Sequence, residues 1–300
     1  MLKINNVVKT YDNIRALDDV SFSVEKGELF GLIGPDGAGK TSLFRIIATL
    51  LLADSGSVAF DGRDVVKDYR YVRQHVGYMP GRFSLYQDLS VRENLEFFAT
   101  IFNTTFNENK HLIQDIFKQL EPFQNRKAGD LSGGMKQKLA LSCALIHKPT
   151  VLLLDEPTTG VDAVSRKEFW QMLKNLKEEG ISILVSTPYM DESTLCDRVA
   201  LIQKGKVLQV DTPPAIAASF DRVVYQVKGH DLYGLLEEIR LLDGVHKAYP
   251  FGDSLHVYGP ANLPLKEMIL KRRPVTELEV EVIPANIEDS FMNLMVKEDG

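Results

Sequence analysis

A glycine-rich loop near the start of the chain constrains the fold more than any other feature. The loop reads Gly34-Pro35-Asp36-Gly37-Ala38-Gly39-Lys40-Thr41, which fits the pattern of a phosphate-binding loop. An apolar run at Leu29–Ile33 precedes it and predicts a short buried strand, and residues 41–52 have helical periodicity. This strand–loop–helix context favours phosphate binding over a simple glycine-rich turn before a helix.

The chemistry of such a loop follows from its residue types. Glycines let backbone N–H groups turn inward around phosphate oxygens, and the start of the helix adds partial positive charge. We expect Lys40 to contact the β- and γ-phosphates of ATP and the Thr41 hydroxyl to bind Mg²⁺. The residues of this segment assigned to ATP are Gly34, Pro35, Asp36, Gly37, Ala38, Gly39, Lys40, Thr41 and Ser42.

A second motif is the apolar run 151–154 followed by the carboxylates Asp155 and Glu156. A buried strand would deliver both side chains to its carboxyl end, where α/β sheets bind ligands. We expect Asp155 to hold Mg²⁺ through water and Glu156 to polarise the water that attacks the γ-phosphate. Taken alone, the run could equally be a buried strand that ends in surface acids, and the upstream loop decides against that interpretation.

The third motif, Leu131-Ser132-Gly133-Gly134-Met135, lies about twenty residues before the second motif. The three motifs follow one another in a characteristic order. On the basis of the motifs and this order, residues 2–211 resemble the nucleotide-binding domain of ABC transporters, whose signature has the form LSGGQ. Met135 stands where that signature usually has glutamine. The resemblance implies an α/β P-loop ATPase core with a mostly parallel sheet, an antiparallel strand subdomain and a helical subdomain.

The resemblance also implies a second phosphate cradle, formed by Ser132 and the amides of Gly133 and Gly134 at a helix N-terminus. In the family this cradle faces ATP held by another subunit, so that two subunits enclose two ATP molecules head to tail. Whether the second subunit is identical or related is left open. Tyr11 lies where the family has an aromatic ring that stacks on adenine, and Asp162 is the key residue of a loop that contacts the other subunit.

Two positions depart from the family pattern. Gly81 stands where the family usually has a glutamine that binds Mg²⁺ and senses the membrane partner, and Gln74 and Gln87 are offset from it. Pro188 stands where the family has a histidine that contacts the γ-phosphate, and proline offers neither a side-chain donor nor a backbone N–H. These departures keep open an alternative function, an ATP-gated scaffold or regulatory protein with little hydrolysis.

Composition excludes some classes of protein and some locations. The chain has 300 residues, 35 of them Lys or Arg and 41 Asp or Glu, so a net charge of −6 gives no support for nucleic-acid binding. Its longest apolar stretches are too short to cross a bilayer, and the N-terminus lacks the apolar core of a signal peptide. We expect a soluble, cytoplasmic chain that reaches the cytoplasmic face of the membrane through a partner.

The sequence changes character at Thr212-Pro213-Pro214. Beyond this point the apolar patterns follow the order β-α-β-β-α-β, which predicts a ferredoxin-like arrangement. We therefore expect an ATP-binding domain at residues 1–212 and an accessory α+β domain at 213–300. The C-terminal segment 283–292 resembles the tails of ABC-2-type exporter ATPases, although a packing domain without regulatory function is an equal alternative.

Together these patterns predict a subunit that hydrolyses ATP in a head-to-tail dimer. Its cycle would power transport, most simply export, through a separate integral membrane permease, whose cytoplasmic loops would contact the helical region at 82–130. ABC proteins that act on ribosomes usually carry two ATPase domains, and those that act in DNA repair carry a long coiled coil. This chain has one set of motifs and no such heptad run.

Overall fold

The computed structural model describes residues 1–81, 85–261, 263–272 and 278–298. The chain divides into two compact units, Met1–Pro213 and Pro214–Gly300. Each unit has a hydrophobic core of its own. Within the described ranges, no helix combines the length and the apolar character that a membrane crossing requires.

The first unit combines sheets and helices. Its strands are β1 (Leu2–Tyr11), β2 (Ile14–Val24), β3 (Leu29–Ile33), β4 (Ser55–Phe60), β5 (Arg63–Asp64), β6 (Val76–Met79), β7 (Val151–Asp155), β8 (Ser182–Thr187), β9 (Arg198–Gln203) and β10 (Lys206–Asp211). Its helices are α1 (Lys40–Ile47), α2 (Tyr69–His75), α3 (Val91–Ile101), α4 (Phe106–Asn109), α5 (Gln114–Leu120), α6 (Gly133–Leu145) and α7 (Ala163–Glu178), and α8 (Pro213–Ala218) begins at its last residue.

The central sheet has the strand order β10-β9-β3-β8-β7-β6. All its neighbouring strands are parallel except β9 and β10, which pair antiparallel. Strands β3, β7 and β8 are buried at every residue, as expected for apolar runs covered on both faces. The register pairs Ile33 with Thr187 and Asp155 with Ser186, so the carboxyl ends of these three strands lie side by side.

A second sheet of the first unit has the order β2-β1-β4-β5 and is antiparallel throughout. Its inward-facing side chains join the same hydrophobic core as residues of β3, α1 and β7. The predicted combination of a mostly parallel sheet and an antiparallel strand subdomain is therefore confirmed. The antiparallel hairpin also brings Tyr11, at the end of β1, toward the start of α1.

The helical region of the first unit is made of several short helices. The apolar spacing over residues 91–121 predicts a mostly helical segment, and the structure confirms this with α3, α4 and α5 separated by short breaks. Asn103 has φ 55°, which ends α3, and Thr105 caps α4 by accepting a hydrogen bond from the Glu108 N–H. These local polar interactions override the apolar periodicity, because a capping side chain competes directly with continued helix.

The second unit contains β11 (Val223–Gly229), α9 (Leu232–Arg240), β12 (Lys247–Phe251), β13 (Ser254–Gly259), α10 (Leu265–Leu270), β14 (Leu278–Ile283) and α11 (Ile287–Glu298). Its antiparallel sheet has the order β12-β13-β11-β14. The first and third strands along the chain are thus central, with α9 and α10 as the crossovers. This arrangement confirms the predicted ferredoxin-like fold.

A buried polar cluster lies where α11 begins. The Asp289 carboxylate, fully buried, accepts hydrogen bonds from the Tyr258 hydroxyl at 2.8 Å and the Asn286 N–H at 2.8 Å, and lies 2.7 Å from His256 Nδ1. Burial, together with the neighbouring Asp289 carboxylate, raises the pKa of the Tyr258 hydroxyl. These bonds satisfy the buried Asp289 carboxylate, whereas Nε2 of the buried His256 has no hydrogen-bond partner among the described residues.

Candidate nucleotide site

The glycine-rich loop joins β3 to α1 and is held closely by its surroundings. A Cβ added at Gly34 would overlap the carbonyl oxygen of Ile202, and one added at Gly39 would overlap that of Ala16. Gly39 also has φ 101°, a backbone conformation that favours glycine. The two glycines therefore allow the loop to pack against backbone while it turns from the strand into the helix.

Lys40 lies at the centre of the loop, with only 3% of its surface exposed. Its ammonium donates to the carbonyl oxygens of Gly34 at 2.8 Å and Pro35 at 3.0 Å. The same Nζ atom lies 3.1 Å from Glu156 Oε1. The structure thus brings together the lysine of the first motif and the second carboxylate of the second motif, which are far apart in the sequence.

Asp155 ends β7 beside the start of α1. Its Oδ1 accepts a hydrogen bond from the Ser186 hydroxyl at 2.7 Å. Burial raises the pKa of Asp155, while the Ser186 hydrogen bond and the nearby Thr41 side chain oppose that rise. The Thr41 hydroxyl and the Asp155 carboxylate, both predicted to bind Mg²⁺, are therefore neighbours.

Glu156 adopts φ 50°, in the left-handed region that residues with a side chain rarely occupy. Its N–H donates to the Ser186 carbonyl at 3.1 Å and to Ser186 Oγ at 3.0 Å. Backbone strain of this kind persists where the surroundings enforce it, and it often accompanies function. Here the turn after β7 directs the Glu156 side chain toward Lys40. Sequence reasoning missed Ser186, whose contacts depend on the pairing of β7 with β8.

Tyr11 lies at the end of β1, and its hydroxyl is 3.2 Å from the hydroxyl of Ser42 in α1. The ring is 41% exposed, and the Lys9 ammonium lies 5.7 Å from its centre. The structure thus places the predicted adenine-stacking residue beside the phosphate loop. The accessible ring is able to receive a flat base, and this role stays a prediction.

The third motif forms the N-terminus of α6. Ser132 and Gly133 are exposed, and the Ser132 hydroxyl accepts a hydrogen bond from the Met135 N–H at 3.4 Å. Gly134 is buried, and an added Cβ there would lie 2.5 Å from Ser165 Oγ. Among the described residues, no hydrogen bond connects Ser132 to the phosphate loop of the same chain. Ser132 and Gly133 are thus accessible to a second subunit, and Gly134 is not.

Asp162 caps the N-terminus of α7 by accepting hydrogen bonds from the Val164 N–H at 3.1 Å and the Ser165 N–H at 3.0 Å. Hydrogen bonds from Ser165 lower the pKa of this exposed carboxyl. The side chain therefore has a clear structural role as a helix cap. Its predicted contact with another subunit stays a prediction.

The position where the family usually has glutamine is sterically constrained. A Cβ added at Gly81 would lie 2.9 Å from the carbonyl oxygen of Asp155 and 3.9 Å from the Cβ of Glu156. The first of these distances is shorter than real Cβ contacts, so a larger residue would require a shift of the segment after β7. Glycine at residue 81 is thus matched to the path of the backbone that carries both carboxylates.

Pro188 follows β8 directly. The preceding residue, Thr187, is fully buried, and its hydroxyl donates to Glu192 Oε2 at 2.5 Å while it accepts a hydrogen bond from the Tyr189 N–H at 3.0 Å. The single hydroxyl proton of Thr187 is therefore already used inside the protein. Thr187 does not replace the missing histidine as a donor in this conformation.

Replacing Pro188 with histidine is expected to raise ATP turnover modestly. The substitution breaks no backbone hydrogen bond, because proline has no N–H, and it introduces a donor just beyond β8. One well-placed donor to developing charge contributes a factor of about 10² in rate, and we expect less because the loop is built around proline. Steady-state turnover and nucleotide affinity would be measured together. A fall in turnover with unchanged affinity would contradict this expectation and indicate that proline positions another donor, such as Tyr189.

Comparison with known proteins supports what these contacts indicate. Residues 17–159 match the family described as "ABC transporter". The Nod factor export ATP-binding protein I of Burkholderia pseudomallei (strain K96243) is 36% identical over 301 residues, which cover 99% of this chain and 97% of that protein. The probable multidrug ABC transporter ATP-binding protein YbhF of Escherichia coli (strain K12) is 38% identical over 221 residues. That match covers 73% of this chain but only 38% of YbhF.

Solved structures give the same result. An ATP-binding subunit of an ABC transporter is 26% identical with a TM-score of 0.66, and the match covers 73% of this chain and 93% of that one. The dimeric bacterial ABC transporter cassette MJ0796 is 28% identical with a TM-score of 0.64, covering 71% and 98% of the two chains. These similarities do not favour a scaffold with little hydrolysis. The chain belongs to the ABC transporter family, as an ATP-binding protein and ABC-type ATPase.

Proposed function

We propose that this chain is the ATP-hydrolysing subunit of an ABC exporter and acts at the cytoplasmic face of a membrane. The observation that carries the proposal is the contact between Lys40 and Glu156, 3.1 Å apart, beside the neighbouring Thr41 and Asp155. In this arrangement Lys40 would bind phosphate, the oxygens of Thr41 and Asp155 would bind a metal ion, and the Glu156 carboxylate would accept a proton from water. Those are the components that phosphoryl transfer to water requires.

The residues present fit Mg²⁺. The Thr41 hydroxyl and the Asp155 carboxylate are hard oxygen donors, and Mg²⁺ prefers such donors together with water and phosphate oxygens. When bound, the ion would neutralise charge on the β- and γ-phosphates. Burial raises the pKa of Asp155, and a nearby cation would favour the ionised form of this carboxyl.

Two side chains would carry the chemistry on the protein's side. Lys40, released from the loop carbonyls, would donate to phosphate oxygens as a preorganised cation. Glu156 would accept a proton from the attacking water, and its backbone is fixed by Ser186 and not by its own carboxylate. The catalytic carboxylate can therefore change partners, from Lys40 to water, without loss of the turn that positions it.

We further propose that the working form is a head-to-tail dimer. The N-terminus of α6, a helix of 13 residues, presents exposed Ser132 and Gly133, and such a helix end favours anions. Phosphate held by the loop of one subunit would contact this helix end of the other. The same geometry serves an identical or a related second subunit, and the dimeric state of MJ0796 supports it.

The permease is proposed to dock in a groove of about 690 Å³ between α2, α3 and α6. Exposed apolar side chains line it, including Leu50 at 59% exposure, Ile101 at 55% and Tyr69 at 40%. Arg70 and Arg73 add positive charge at its edge. We expect a short cytoplasmic helix of the permease with an apolar face and acidic ends to fit here. The names of the multidrug and Nod factor relatives support export as the direction of transport.

A mixing experiment tests the head-to-tail site. Lys40→Ala damages the phosphate loop, and Gly133→Asp places negative charge where phosphate of the other subunit would lie. Gly133→Asp should fold, since an added Cβ there meets only ordinary contact at 3.6 Å and a carboxylate suits a helix N-terminus. Each variant alone should be inactive. An equal mixture should recover up to roughly a quarter of parental turnover, because half of the dimers would be mixed and each would have one intact site.

The control is a mixture of Lys40→Ala with Glu156→Gln. Lys40 and Glu156 both belong to the phosphate-loop half of the proposed site, so each of the two sites in a mixed dimer contains one of the two substitutions. No activity should return. Recovery in this control, or none in the first mixture, would contradict the head-to-tail arrangement.

A further inference from the structure

A buried carboxylate outside the three motifs joins two segments of the nucleotide site. Glu192 lies in the 3-10 turn Asp191–Leu195 and is only 2% exposed. Its Oε1 accepts a hydrogen bond from the Thr158 hydroxyl at 2.9 Å, and its Oε2 accepts one from the Thr187 hydroxyl at 2.5 Å. A carboxylate is the only side chain of this size that accepts at both ends and donates at neither.

The two threonines belong to segments that carry the chemistry. Thr158 follows Glu156 by two residues, inside a turn that the Thr159 N–H closes by donating to the Glu156 carbonyl at 3.3 Å. Thr187 ends β8, and its carbonyl oxygen accepts the N–H of Gly34, the first residue of the phosphate loop, at 3.3 Å. Glu192 is therefore linked on one side to the catalytic carboxylate and on the other to the loop that would hold phosphate.

We propose that Glu192 is a positioning residue for ATP hydrolysis, which fixes the distance between Glu156 and the phosphate loop. The role rests on the proposed function, in which Glu156 activates water. The role matters more in this chain because Pro188 supplies no donor between β8 and the phosphate, and the Thr187 hydroxyl already donates its hydrogen bond to Glu192. A shift of about 1 Å between a base and its substrate costs on the order of 10² in rate.

Substitution of Glu192 should lower turnover without weakening nucleotide binding. In Glu192→Gln the amide oxygen still accepts one hydroxyl, but the amide nitrogen can only donate. The threonine hydroxyl that faces the nitrogen loses its acceptor and must turn its proton away, so turnover should fall about tenfold. Glu192→Ala removes both acceptors and should lower turnover about 10²-fold. Nucleotide affinity should stay within about threefold in both variants, because Lys40 and the loop amides are untouched. Asp191→Asn is the matched control: its side chain is 77% exposed and lies 3.9 Å from Arg166, and turnover should not change.

A double substitution separates positioning from general loss of structure. Thr158→Val removes one of the two donors, and in Glu192→Gln with Thr158→Val the remaining amide oxygen serves Thr187 alone. Turnover of the double variant should equal that of Glu192→Gln and not the product of the two single effects. Thermal unfolding of each full-length variant is recorded beside turnover and affinity, and Glu192→Gln decides the question where Glu192→Ala fails to fold.

Three results would overturn the role of Glu192. They are parental turnover in a folded Glu192 variant, a parallel loss of affinity and turnover, and fully additive effects in the double variant. Glu156→Gln is assayed in the same series. If Glu156→Gln hydrolyses ATP at the parental rate, the proposed function itself fails. If Glu156→Gln is slow and Glu192→Ala is not, only the positioning role fails.

Discussion

Glu156→Gln is expected to keep ATP binding and to slow hydrolysis by roughly 10²–10⁴-fold, the scale of losing a general base. The backbone bonds from the Glu156 N–H to Ser186, at 3.1 and 3.0 Å, do not involve the carboxylate. The strained turn should therefore survive the substitution. The neutral amide also no longer attracts the Lys40 ammonium, which lies 3.1 Å from Glu156 Oε1. We thus expect affinity for ATP to be equal to that of the parent or slightly higher.

Turnover would be measured in steady state, and ATP-dependent dimerisation by size exclusion. A dimer that persists with ATP in Glu156→Gln but not in the parent is the expected pair of results, because in the proposed cycle the dimer would open on hydrolysis. Glu178→Gln is a suitable control, since this exposed residue of α7 has the same chemical change far along the helix. Hydrolysis at the parental rate in Glu156→Gln would mean that another group activates water.

Lys40→Ala is expected to weaken ATP binding by more than about 10²-fold. The Lys40 side chain is only 2% exposed, and its ammonium would exchange bonds to two loop carbonyls for bonds to two charged phosphates. Each hydrogen bond between charged groups contributes about 1.5–3 kcal/mol, so two of them account for a loss of this size or larger. The substitution also leaves Glu156 without its cationic partner, which adds repulsion toward phosphate.

Titration with a labelled ATP analogue measures the loss directly, and circular dichroism checks that the variant is folded. Lys206→Ala is the control, because this lysine is half exposed and pairs with Asp18 at a distance of 3.8 Å. Its loss should leave affinity unchanged. An unchanged affinity in Lys40→Ala would refute the assignment of the phosphate loop.

The parts of the site that the sequence predicts are those that local chemistry specifies. Glycine spacing, the lysine and the apolar run before Asp155 are each local in the chain, and the structure brings Lys40, Thr41, Asp155 and Glu156 together as expected. Ser186, with its bonds to both carboxylate residues, could not be predicted in the same way. Its role exists only because β7 and β8 are adjacent and in a register that pairs Asp155 with Ser186.

Glu192, like Ser186, has contacts that the sequence alone does not predict. An acidic residue in a polar segment usually lies in solvent, and nothing within a few residues of it in the sequence indicates burial. It is buried because Thr158 and Thr187, from separate segments, direct their hydroxyls at it. The apolar spacing over 91–121 correctly indicates a mostly helical segment, but it does not show where the helices break, because the cap at Thr105 depends on local polar contacts.

The contact at residue 81 has a consequence for protein engineering. A Cβ at this position would lie 2.9 Å from the Asp155 carbonyl oxygen, so glutamine could be installed at residue 81 only if the backbone near Asp155 and Glu156 shifted. A variant meant to restore the usual glutamine of the family therefore needs a second, compensating substitution near the end of β7, and the two positions have to be redesigned as one unit.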